Sequence, residues 1–322
     1  MQPAKWIRFS AQFAQLNRRQ RQAGMALLRG NAPDDATVAL LESVAQPRLA
    51  CPACRSPHLH RHGHAHGLQR YRCVPCGRTF NALTGTPLAR LRHKSLWLDY
   101  ADCLLDSRSV RQAASQLGVH RNTTFRWRHR FLSVAKTDRP HGLHGIAEAD
   151  ELYVLESEKG ARQMTRPARR RGDHAHKRGI SNEQVCILVA RDRTGQTLDF
   201  VTGKGQLTKT QLHRYLLPVI DKDILLVTDG DAAYRAFARE AGISHQAVNL
   251  RPGIRVQGAA HVQNVNAYHS RLRQWLRPFH GVATRYLPNY LGWRWILDAR
   301  RIRSPETLLK ATLGAFPHLT VT

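Results

Sequence analysis

The chain has 322 residues, 42% of them hydrophobic, with 50 Lys and Arg against 23 Asp and Glu for a formal charge of +27. That length admits two or three domains with real cores, and the cationic surplus, spread through both halves, points to a polyanionic partner, DNA or RNA. An apolar leader and any run of about 18 apolar residues are both missing, which argues against export or a membrane span, and six cysteines fit a reducing cytoplasm better than a disulfide scaffold.

Residues 1–46 read as a basic helical segment. Phe9, Phe13 and Leu16 fall at helical spacing, Arg18, Arg19 and Arg21 follow, and Pro33, Asp34 and Asp35 end the pattern. Residues 47–86 read as a zinc ribbon. Cys51-Pro-Ala-Cys54 and Cys73-Val-Pro-Cys76 form two CxxC knuckles, each able to turn two thiolates back on one ion. Together they complete the closed tetrahedron of one structural Zn²⁺, with no open position for a catalytic water. Gly77 gives the second knuckle the backbone freedom that a tight turn needs. His58, His60, His62, His64 and His66 recur at every second residue, so an extended chain would align them on one face as a solvated or phosphate-facing row.

Residues 87–135 carry a helix-turn-helix pattern. Leu96, Trp97, Tyr100, Ala101, Leu104 and Leu105 make one broad apolar helical face. A second helix runs from Val110 to Leu117, capped by Ser109, and Gly118-Val119 turns into a third over 121–132. There Thr124, Trp127 and Phe131 point inward, while Arg121 opens the helix and Asn122, Arg126 and Arg130 share an outward face suited to a major groove. Residues 136–147 are rich in breakers and read as a linker.

From residue 148 to 300 the pattern becomes mixed α/β. Strands are expected at 149–156, 185–191, 197–202, 223–229 and 246–250, and helices at 208–220, 231–241 and 262–277. Three strands, a helix, a strand ending in Asp, a helix and another strand are what an RNase H-like mixed sheet flanked by helices produces. Asp150 then lies on the central strand and Asp229 at the carboxyl end of the fourth, where neighbouring strand ends bring side chains together to hold Mg²⁺. Glu148 shares the strand face of Asp150 and is either a further ligand or a bystander, whereas Glu151 points the other way. Asp229-Gly230-Asp231 also reads as a plain turn, with Asp231 capping the next helix. A dense basic run follows the first strand, including Lys159, Arg162, Arg166, Arg169, Arg170 and Arg171, and is expected to order on a DNA backbone. Residues 301–322 read as a C-terminal tail.

The knuckles followed by Thr79-Phe80-Asn81-Ala82-Leu83-Thr84-Gly85-Thr86-Pro87-Leu88, the helix-turn-helix, Asp150-Glu151, Thr228-Asp229-Gly230, and the stretch from His261 through Asn266 to Arg273 resemble bacterial insertion-sequence transposases of the ISXO-like group. So does the stretch from Phe279 to Trp293. The resemblance spans about residues 45 to 300 with the modules in the family's order. It implies a DDE-type catalytic domain in which Asp150 and Asp229 match the first two acids and two Mg²⁺ or Mn²⁺ ions are used. Asn266 falls where the third acid, usually Glu, is expected; an amide brings an oxygen but neither charge nor basicity. Members of the family carry Asn or His there with Lys or Arg seven residues on, and Arg273 meets that spacing, about two helical turns away and able to clamp a phosphate. His269 is the candidate substitute for the missing acid.

The expected protein is a bacterial, cytoplasmic and nucleoid-associated transposase. It would bind the terminal inverted repeats of its element, with Arg121, Asn122, Arg126, Arg130, Arg169, Arg170 and Arg171 as DNA contacts, and catalyse metal-dependent cleavage and strand transfer. Joining two ends in one event implies a homodimer or higher oligomer, for which Tyr286, Tyr290 and Trp293 offer either an interface stripe or ordinary core. The alternative is a non-catalytic DNA-binding repressor derived from a transposase, which Asn266 favours.

Overall fold

The computed structural model describes residues 33–169, 174–248 and 260–316, with isolated positions at 11, 12, 15, 16, 20 and 24. Most of the expected helix over 1–30 lies outside the described residues. Two compact units form, Met1–Ala135 with Arg300–Thr322, and Lys136–Ala299.

Among the described residues the first complete helix is α1 (Pro33–Ala45), inside the segment 1–46 read as helical. Pro33 opens this helix, where a missing N–H costs nothing in a first turn. Leu41 is fully buried, and Glu42 accepts a hydrogen bond from Gln69 N at 2.7 Å, fastening α1 to the neighbouring sheet. That sheet is antiparallel, β1 (Leu59–Ala65), β2 (Leu68–Cys73) and β3 (Thr79–Asn81), in the order β1-β2-β3. Its register shifts between Arg61 and His64, with Gly63 in the left-handed region. The irregularity breaks the period-2 alternation, so the histidines are exposed but do not form the single-faced row expected.

Three helices follow, α2 (Trp97–Leu105), α3 (Val110–Leu117) and α4 (Arg121–Ala135). Ser109 accepts from Gln112 N while the Gln112 side chain accepts from Ser109 N, satisfying two orphan donors at the start of α3, and Gly118 ends it at φ 65°. Thr124, Trp127 and Phe131 are buried, as their spacing predicts. Tyr100 is the hub, with its ring 5.2 Å from Trp127 and 5.1 Å from Phe131 and its hydroxyl donating to Thr124 O at 2.9 Å. The segment read as a tail contributes to this core. Pro305–Thr312 forms a helix that packs on α2 and α4, burying Leu308 and Leu309, and the Thr312 hydroxyl donates to Phe131 O at 3.2 Å.

The second unit is built on a five-stranded sheet. Its strands are β4 (Ile146–Leu155), β5 (Gln184–Asp192), β6 (Thr197–Lys204), β7 (Leu225–Thr228) and β8 (Ser244–Ala247), in the order β6-β5-β4-β7-β8. β4 is central, antiparallel to β5 and parallel to β7, which is the RNase H-like arrangement. One face packs on α5 (Lys209–Tyr215) and α6 (Ala232–Ala241) through Ala147, Ala149, Leu188, Leu212, Tyr234 and Phe237. The other packs on α7 (Gln263–Leu276) and α8 (Leu287–Ala299) through Leu152, Ile187, Val189, Val265, Tyr268, Leu272 and Leu291. β5 runs apolar without alternation because both of its faces are covered.

Residues 136–147 do not hang free as a linker. Lys136 donates to Asn289 at 2.9 Å, Arg139 pairs with buried Asp199, and Leu143 N donates to Val219 O, so the segment belongs to the second unit. Tyr290 and Trp293 are buried, and Trp293 packs on Trp275 with ring centroids 5.0 Å apart, so these two belong to the core, while Tyr286 is half-buried.

Candidate active site and cysteine centre

The two CxxC knuckles fold alike. Arg55 N donates to Cys51 O at 2.8 Å and Gly77 N to Cys73 O at 2.9 Å, and Arg55 and Gly77 are both left-handed. This brings the Sγ atoms of Cys51, Cys54, Cys73 and Cys76 within 4.8 Å of one another, with Cys51 to Cys76 at 3.5 Å and Cys54 to Cys73 at 3.4 Å. Tetrahedral Zn–S bonds of about 2.3 Å place sulfurs roughly 3.8 Å apart, so the set fits zinc. The backbone N–H of Cys54 pulls the Cys51 thiol down to about 6, whereas burial pushes the Cys73 thiol up to about 12.

In the second unit the register of β4 on β7 pairs Glu148 with Val227. Two residues farther along each chain, Asp150 and Asp229 come level with one another just beyond the paired stretch. Asp150 accepts from Glu151 N at 2.9 Å, and Asp229 accepts from Asp231 N at 3.1 Å. Burial pushes the Asp150 carboxyl up to about 6, Asp229 raises it further, and Arg273 opposes the shift. A half-buried acid whose charge is disfavoured by an exposed carboxylate neighbour suits a cation. Asp231 caps α6 by accepting from Ala233 N at 2.7 Å.

Glu148 shares the face of Asp150 but has a different task. It is fully buried, pairs with Arg193 Nη1 at 2.6 Å and His261 Nδ1 at 3.2 Å, and accepts from Val265 N at 2.9 Å. α7 has no side-chain cap of its own, so this carboxylate satisfies one of its orphan N–H groups and ties its first turn to β4. Glu151, on the opposite face, is pushed up to about 7 by burial and by Asp150, Asp229 and Asp231. Tyr234 lies beside it, yet neither Glu151 Oε1 nor the Tyr234 hydroxyl completes a regular hydrogen bond.

α7 presents Asn266, His269 and Arg273 along one face. Asn266 and Arg273 are exposed. His269 is buried with Nδ1 3.5 Å from Asp150 Oδ2 and Nε2 unpartnered; burial and Arg273 hold it down at about 4, hence neutral. No third carboxylate joins Asp150 and Asp229: among the described residues, the cysteine set is the only group of three or more His, Cys, Asp or Glu ligands with donor atoms within 4.8 Å of each other.

Of the expected DNA contacts, Arg121, Asn122, Arg126 and Arg130 are exposed on α4. Arg169 donates to Glu156 O at 2.7 Å, as does Arg166 at 3.0 Å, so this part of the basic run is fastened at the end of β4. Arg170 and Arg171 lie outside the described residues. No described helix is long and apolar enough to cross a membrane.

The family described as the ISXO2-like transposase domain matches residues 142–295, and a homeodomain-like domain family matches residues 98–143. The chain is 30% identical over 244 residues, covering 75% of its length and 82% of the relative's, to an uncharacterized protein in transposable element ISH50 of Halobacterium salinarum. Among solved structures it is similar to a chain of the simian T-cell lymphotropic virus intasome, at 11% identity and a TM-score of 0.30 over 61% of this chain and 67% of that one. A chain of the pre-cleavage Mos1 transpososome is similar at 14% identity and a TM-score of 0.21, over 66% of this chain and 77% of that one.

Proposed function

This chain belongs to the ISXO2-like transposase family, and we propose that it binds the terminal inverted repeats of its own insertion sequence and cuts and joins DNA there. The observation that carries the reading is the pair Asp150 and Asp229, level with each other just past the point where the parallel pairing of β4 with β7 ends, with the charge of Asp229 acting on Asp150. These two would hold Mg²⁺ or Mn²⁺, two ions in the complete site. When bound, such ions activate the attacking oxygen and stabilise the leaving one.

The chain's own residues supply the rest. Arg273, whose charge already reaches Asp150, would clamp the scissile phosphate. Asn266 would lend an amide oxygen, and His269 would fix the Asp150 carboxylate from behind. Water attacks the phosphodiester at the element end and frees a 3′ hydroxyl, which then attacks a target phosphodiester in line. Arg121, Asn122, Arg126 and Arg130 would hold the repeat, with Arg169, Arg170 and Arg171 on the backbone, and one structural zinc would hold the ribbon together. Joining two ends requires a dimer or larger assembly.

The test is a nicking and strand-transfer assay on end-bearing DNA with Mg²⁺ or Mn²⁺. Cleavage abolished by Asp229→Ala supports the transposase; binding without cleavage, unchanged by that substitution, supports the repressor.

A further inference from the structure

One apolar side chain stands among the cations of α4. Phe125 is 42% exposed, and Arg121, Asn122 and Arg126 are exposed around it. At about 100° per residue it lies between Arg121 and Asn122 when viewed down the helix, on the flank of the outward face next to buried Leu132. Its ring rests edge-on against His129 with centroids 4.7 Å apart, which steadies it. The three-helix core is closed from the opposite side by Thr124, Trp127 and Phe131. Hydration of an exposed aromatic is unfavourable, and helix propensity gives no reason for Phe at this position.

We infer that Phe125 is a specificity-determining residue that reads thymine in the major groove. This rests on the proposal that α4 is the helix that enters DNA. The floor of the major groove is polar except for the C5-methyl group of thymine, the one apolar feature an aromatic ring can meet there. The surroundings select DNA as the occupant: Arg121 and Asn122 flank the ring, Arg126 and Arg130 continue the exposed face beyond Asn122, and α4 contains no Asp or Glu. A protein's apolar patch would leave these guanidiniums unpaired, whereas phosphates on either side of a groove pair them. The ring also sits in the first half of the helix, the part of a recognition helix that approaches base edges.

The test uses the full chain and duplexes that the wild type enriches from a random-sequence library. Each thymine is replaced singly by deoxyuridine, which removes the methyl group and leaves every hydrogen-bonding edge intact. At one or two positions the wild type loses about fourfold in affinity, the size expected of one buried methyl. Phe125→Ala binds the thymine and uracil forms of those positions equally, and Phe125→Leu keeps part of the discrimination. The slope of affinity against salt stays unchanged in both variants, since the phosphate contacts remain. An equal uracil penalty in wild type and Phe125→Ala, or no penalty at any thymine in the wild type, overturns the inference while leaving DNA binding in place. Failure of the wild type to enrich any duplex overturns the DNA-binding reading and this one with it.

Discussion

His269 Nδ1 stands 3.5 Å from Asp150 Oδ2, inside the protein, while Asn266 one turn earlier on the same helix is exposed. The residue at the expected third-acid position is thus not the one already against the first acid. A neutral imidazole behind a metal-binding carboxylate orients it, and removing such a support weakens metal binding by about 10–100-fold. His269→Ala is therefore expected to lower Mn²⁺ affinity by that factor in spectroscopic titration, with His269→Gln recovering part of it. Equal Mn²⁺ affinity in wild type and His269→Ala would remove the histidine from the site. Asn266→Ala should slow cleavage and leave DNA binding intact.

Asp150 titrates near 6 and Glu151 near 7 in the folded chain, against 3.8 and 4.5 when unperturbed. An acid whose folded pKa is raised binds more protons folded than unfolded, so its cost is full above the folded pKa, shrinks as pH falls through it, and is gone below the unfolded value. His269, held down near 4, acts in the opposite sense below its ordinary 6.5. Comparing variants isolates the acid. Asp150→Asn should stabilise the metal-free protein by roughly 1–3 kcal/mol at pH 8, with the gain shrinking as pH falls through about 6. Denaturant unfolding at a series of pH values checks this, and a gain that is constant with pH would contradict it.

Glu148→Ala should be among the more damaging single substitutions in the second unit. It leaves Arg193 and His261 without their buried counter-charge and the first turn of α7 without its cap. Breaking a buried pair this way costs about 3–5 kcal/mol; Arg193 is partly exposed, so the lower end is expected. Cleavage should fall as well, because α7 carries Asn266, His269 and Arg273. A loss under 1 kcal/mol would show that α7 is anchored by other contacts.

The ribbon has little core beyond its cysteine set: Cys51, Cys73 and Phe80 are its buried cluster, with Leu49, Leu59 and Tyr71 packed against them. One zinc per chain is expected. A chelator or Cys73→Ala should abolish amide-exchange protection over residues 47–86 while leaving β4 and β5 protected. Retained ribbon protection without zinc would contradict a structural metal.

What the sequence disclosed follows from how local each interaction is. β5 was legible because burial on two faces leaves a long apolar run, and β4 because an apolar run, Leu152 to Leu155, follows Asp150 and Glu151. The caps at Ser109 and Asp231 were legible because donor and acceptor are two or three residues apart. Glu148 was ambiguous because its partners Arg193, His261 and Val265 arrive from 45 to 117 positions away. Pro305–Thr312 read as tail because its short apolar stripe has meaning only against α2 and α4. The histidine row failed for a local reason, since a bulge near Gly63 turns the strand. Phe125 was passed over because periodicity marks outward positions without separating an exposed ring from a misplaced core residue.

The most direct test is cleavage of DNA bearing the element's terminal repeats, in Mg²⁺ or Mn²⁺, by wild type, Asp150→Ala and Asp229→Ala, with binding followed on the same duplexes. The account predicts that wild type frees 3′ hydroxyls at the element ends and that both variants bind normally yet cleave at least about 10³-fold more slowly. Cleavage at the wild-type rate by either variant, or intact DNA with the bound wild-type chain, would contradict it.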